Sequence, residues 1–75
     1  MIETTFRIRP YSKRELAMLY FPETANADSA VANLRNLMKR NSDLLDELED
    51  AHYKTHDKVF TPRQVVIIVR YLGEP

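Results

Sequence analysis

Ser29, Asn33, Asn36 and Arg40 recur at three- and four-residue intervals, the spacing that lines up side chains along one face of an α-helix. Asn pairs with the adenine edge and Arg with the guanine edge in the DNA major groove, so this row has the chemistry to read bases. Arg35 and Lys39 stand beside it, where cations can meet backbone phosphates. Any amphipathic helix also needs a solvated face, and the same row would serve as one. A second group, Arg7, Arg9, Lys13 and Arg14, brackets the start of an expected helix, whose unpaired amides add positive potential for a phosphate.

Other combinations carry less chemistry. His52 and His56 are four apart and Asp57 follows, but no third strong ligand is spaced to complete a metal site, so none is expected. The acids Asp43, Asp46, Glu47, Glu49 and Asp50 resemble a repelling, solvated surface more than a catalytic pair, which needs a cleft and one raised pKa. With no cysteine, thiolate nucleophiles, zinc-thiolate fingers and disulfides are excluded. Gly73 is the only glycine, which rules out a glycine-rich phosphate loop. The sequence therefore points away from an enzyme and calls for no cofactor.

The elements that must position these groups are legible from local signals. Thr4 to Arg9 alternates polar and apolar residues and reads as a short strand ended by Pro10. Ser12 and Glu15 form a capping box opening a first helix, with Leu16, Leu19 and Tyr20 at helical spacing and Pro22 closing it. Beyond the linker Glu23–Ala27, Asp28 or a neighbour caps a second helix to about Arg40, buried through Val31, Leu34, Leu37 and Met38. Asn41 or Ser42 caps a third, acidic helix with Leu44, Leu45 and Leu48 inward.

Residues 53–60 read as a connector or short strand, and Val59-Phe60 is expected to pair with Phe6-Ile8. The run Val65-Val-Ile-Ile-Val69 has strand propensity. Thr61, Pro62 and Gln64 nevertheless supply a helix start and Gly73 a helix end, so Pro62–Leu72 is expected to be helical, with Arg63, Ile67, Arg70 and Tyr71 as its outer row.

At 75 residues the chain makes one domain, 1–75, with a small core that a second copy or another protein would support. The net charge of +0 conceals segregation: residues 41–50 hold five acids and no base, and bases exceed acids on both sides. No apolar run is long enough for a membrane span, so a cytoplasmic location is expected.

The segments YSKRELAMLYFP, LRNLMKRN and FTPRQVVIIVRYLGEP together resemble a family of short bacterial proteins known as domain of unknown function 4248, from about Tyr11 to Pro75. That resemblance implies no activity, substrate or catalytic residue. More loosely, KRELAMLY is similar to the first helix of helix-turn-helix domains, although the stretch Phe21–Ala27 exceeds their usual turn of three or four residues and has no glycine.

The expectation is a mostly α domain of four helices, helix-turn-helix-like, with a short N-terminal β-strand. It would bind DNA through Ser29, Asn33, Arg35, Asn36, Lys39 and Arg40, with Arg7, Arg9, Lys13 and Arg14 on the backbone, alone or as a homodimer. The alternative is a protein-interaction adaptor using the acidic helix 42–52 and the outer face of helix 62–72.

Overall fold

A computed structural model of the chain describes residues 6–54 and 56–75. The order is β1 (Tyr11–Ser12), α1 (Lys13–Tyr20), α2 (Ala27–Lys39), α3 (Ser42–Asp50), β2 (Val59–Phe60) and α4 (Pro62–Leu72). The architecture is thus mostly α, four helices with a small N-terminal antiparallel sheet. Among the described residues no helix is long and apolar enough to cross a membrane.

The expected strand lies elsewhere. Thr4 and Thr5 fall outside the described residues, and 6–9 form no strand. Tyr11 pairs with Phe60 and Ser12 with Val59 instead, and a Lys13 amide bond to the Lys58 carbonyl (2.9 Å) continues the register. The reason is burial: Tyr11 and Phe60 are almost fully buried, whereas Ile8 is exposed. Phe6 stacks on Tyr11 with centroids 5.2 Å apart, and Tyr53 stacks on Phe60 at 5.4 Å, thickening the sheet into a core layer.

Each helix begins on a side-chain cap. Ser12 Oγ accepts from the Glu15 amide, Asn41 Oδ1 from the Leu44 amide and Thr61 Oγ1 from the Gln64 amide. For α2 the cap is Asn26, whose Oδ1 accepts from the Ser29 amide at 2.8 Å, and not Asp28. Both are short acceptors two positions apart, but Asn26 has the extended backbone a cap requires (φ −150°, ψ 164°). At α4 the box is reciprocal, since Gln64 Oε1 also accepts from the Thr61 amide.

The core gathers Leu16 and Ala17 from α1, Ala30, Leu34 and Met38 from α2, Leu44 and Leu48 from α3, and Val65, Ile67 and Ile68 from α4. Each large side chain buried to this extent contributes about 1.5–3 kcal/mol. On α2 the buried row is rotated from the expected stripe: Ala30 takes the interior and Val31 and Leu37 are half-buried. Likewise Leu19 is exposed and Leu45 half-buried. Ile67, expected on the outer row of α4, is 7% exposed, and Val66 is the apolar residue left outside. Both α3 and β2 pack on α4, so its buried face is wider than a single stripe.

The acidic helix is shorter than 42–52, because Ala51 caps it and His52 leaves the helix with φ 68°. The His52 amide donates to the Glu49 carbonyl and the Tyr53 amide to the Leu48 carbonyl, the paired bonds of a Schellman ending. A left-handed residue with a Cβ costs about 1–2 kcal/mol, a cost glycine avoids at some loss of chain entropy. His52→Gly should therefore stabilise the fold by about 0.5–1 kcal/mol, seen as a raised thermal midpoint. A lowered midpoint would show that the imidazole itself holds the turn.

At the other end the Tyr20 hydroxyl donates to the Gly73 carbonyl at 2.5 Å, tying α1 to the exit of α4. Tyr20→Phe should cost about 0.5–1.5 kcal/mol. Burial, helped by the Glu74 carboxylate, pushes the Tyr20 phenol up to about 12. A folded pKa above the unfolded one, about 10, means that the tyrosine's advantage is whole below pH 10 and fades between 10 and 12. Unfolding of the two proteins followed at increasing pH should thus converge, and a constant difference would contradict this account.

Candidate nucleic-acid interface

The two halves of α2 have opposite duties. Ala30, Leu34 and Met38 face inward, which turns Ser29, Asn33 and Asn36 outward, with Arg40 at the helix end continuing the line. All four are exposed, as are Arg35 and Lys39. The expected row therefore exists as one solvent-facing surface on a 13-residue helix, about 20 Å long.

The N-terminal bases divide into two groups. Arg9 is occupied: its guanidinium meets the Glu15 carboxylate at 2.9 Å, donates to the Pro10 carbonyl and lies 3.9 Å over the Tyr11 ring. The pairing raises the Arg9 pKa and lowers that of Glu15, through their hydrogen bond first. Arg7 is exposed, and its carbonyl accepts from the Tyr11 hydroxyl at 2.8 Å. Lys13 and Arg14, at the start of α1, instead lie beside α2.

There they line a groove with Arg35 and Lys58, walled by Val31 and Val59. Its volume is ≈ 490 Å³. The Lys13 ammonium sits 4.8 Å over the Tyr53 ring. Burial first, then the Arg35 guanidinium, lowers its pKa, and Asp57 partly opposes them. Burial also raises the Tyr53 phenol. Arg14 pairs with Asp28 at 3.3 Å across exposed surface, an interaction worth little.

Lys58 and Val59 are the functional candidates that local reading passed over. Their position beside Lys13 depends on the β1–β2 register, which links segments far apart in sequence. Only the expected pairing of Val59-Phe60 with an N-terminal strand hinted at it.

The remaining charged groups behave differently. Asp57 is tied to the chain, its Oδ2 accepting from the Lys54 amide at 3.0 Å. His52 and His56 lie beyond the end of α3, not on a helix, and among the described residues no three His, Cys, Asp or Glu could hold a metal ion. On the acidic helix, Glu47 accepts from the Tyr71 hydroxyl and lies 3.6 Å from Arg70. That bond raises the Tyr71 pKa.

A family model described as a domain of unknown function, DUF4248, matches residues 7–75. No curated protein and no solved structure matches the chain.

Proposed function

The chain belongs to the DUF4248 family, whose description assigns no activity, and we propose from its own surface that it is a DNA-binding or DNA-associated regulatory domain, helix-turn-helix-like in its use of α1 and α2. The observation that carries this reading is the exposed row Ser29, Asn33, Asn36 and Arg40, flanked by the exposed cations Arg35 and Lys39. In this reading α2 enters the major groove and its amides and guanidinium meet base edges. Arg35 and Lys39, with Arg7, Lys13 and Arg14, hold phosphates, while Arg9 braces α1.

A domain without net positive charge has weak long-range attraction for DNA, so two copies on neighbouring half-sites would supply affinity that one lacks. The same reading makes it a cytoplasmic binder and not an enzyme. The adaptor alternative draws less support. Glu47 is engaged by Arg70 and Tyr71, and the burial of Ile67 leaves the outer face of α4 less apolar than it needs.

Anisotropy of labelled random-sequence duplex, titrated at about 50 and 200 mM salt, is the first test. Affinity should fall steeply between the two, and Arg35→Ala with Lys39→Ala should remove most of it. Asn33→Ala with Asn36→Ala should keep that non-specific binding but flatten preference in a site-selection experiment, at about 1–3 kcal/mol per lost base contact. Absence of binding at micromolar protein would overturn the proposal for the isolated domain.

A further inference from the structure

The groove beside α1 has features that a DNA-reading helix does not require. Lys13 and Lys58 are directly opposed in the continued antiparallel register, which brings the two lysines to the same end of the ladder. Arg35 adds a third cation from α2. Among the described residues, neither Arg35 nor Lys58 has a carboxylate within ion-pair distance. Of the two acids on the rim, Asp28 pairs with Arg14, and Asp57, whose Oδ2 accepts from the Lys54 amide, only partly offsets the burial and the Arg35 charge that act on Lys13. Beside these charges Val59 is 51% exposed.

We infer that the groove is a binding site for a small phosphomonoester, with the phosphate on Lys13, Arg35 and Lys58 and the organic group against Val31 and Val59. The ligand class follows from the donors. A phosphomonoester is a dianion above about pH 6 and presents three terminal oxygens. One guanidinium fork and two ammonium groups from three different elements suit that tripod. A carboxylate, with one charge and two oxygens, offers fewer acceptors than the three side chains have donors. The volume of ≈ 490 Å³ lies within the range of ligand pockets and leaves room for more than the phosphate. An anion there also relieves the repulsion that, after burial, lowers the Lys13 pKa. The inference goes beyond DNA reading and uses neither Asn33 nor Asn36.

The test is an NMR titration of the isotopically labelled full chain at about pH 7.5 with inorganic phosphate, phenyl phosphate and benzoate, ionic strength being held with chloride. Saturable shifts at residues 13, 35 and 58 are expected, with phenyl phosphate binding tighter than phosphate and benzoate failing to saturate. Arg35→Gln with Lys58→Gln, both at exposed positions, should weaken phenyl phosphate by about tenfold or more without lowering the thermal midpoint. Shifts no larger than those in chloride, or equal binding by benzoate and phenyl phosphate, would overturn the inference. So would unchanged affinity in the double variant. Lys58→Gln alone separates the two proposals: it should weaken the phosphate ester and leave DNA affinity as it was, and DNA binding that fails on its own leaves the groove intact.

Discussion

Phe60→Ala should cost about 3–5 kcal/mol of folding stability, the range for truncating a buried aromatic. Phe60 is 1% exposed, faces Tyr11 across the two-stranded ladder and carries the Tyr53 ring on its other side. Its loss would leave a cavity beneath two aromatic side chains that the ladder holds in place. A 75-residue domain has roughly 4–11 kcal/mol in total, so the loss removes from about a quarter to all of it. Urea unfolding followed by circular dichroism measures the loss. Val59→Ala, at the neighbouring exposed position, is the control and should shift stability by no more than about 0.5 kcal/mol. Equal effects at the two sites would mean that the strand does not face inward as described.

The second large effect is expected at Gln64, the one buried polar residue of the core among those described. Its Nε2 donates to the Ala51 carbonyl at 3.0 Å, and its Oε1 accepts from the Thr61 amide at 3.0 Å. One side chain thereby closes the end of α3 and the start of α4 together. Gln64→Ala strands a carbonyl and an amide, at about 1–3 kcal/mol each, so a total loss of about 2–6 kcal/mol is expected.

Gln64→Glu is the sharper probe. It has the same shape but sets a carboxylate oxygen against the Ala51 carbonyl, which only a protonated acid can satisfy. The folded pKa of that acid must lie above the unfolded value of about 4.3. Its stability is therefore greatest below about pH 4.3 and is lost as pH rises through the folded pKa. Measured against the natural protein across this range, the variant's deficit should shrink on acidification. A deficit independent of pH would show that Gln64 does not donate to Ala51.

How far the sequence carries this structure depends on whether a signal is local. The boundaries of α4 were legible because Thr61, Pro62, Gln64 and Gly73 each act within a turn of themselves, and the structure has that helix at Pro62–Leu72. Nothing local distinguished Asn26 from Asp28 as a cap, since either side chain could accept an amide three residues further on. The pattern at Thr4–Arg9 showed alternation but not the partner, and pairing went to Tyr11–Ser12, where a buried ring meets Phe60. Spacing puts Ile67 in one row with Arg63, Arg70 and Tyr71, yet it is buried, because both α3 and β2 pack on α4. The α2 row was readable from spacing alone. The groove was not, because Lys58 joins Lys13 only through the ladder.

That ladder has a consequence for the order of folding. Tyr11 and Phe60 stand roughly fifty positions apart, and closing so long a loop is slow compared with helix formation or the docking of helices that follow one another in the chain. The α1–α2 pair and α3 can form before β1 finds β2, so the sheet is expected to be absent from the folding nucleus. The stability lost in Phe60→Ala should then appear almost wholly as faster unfolding, with the refolding rate little changed. On this account the two shortest elements of the fold act as its latch, and they set how long a folded molecule lasts more than how quickly it is made.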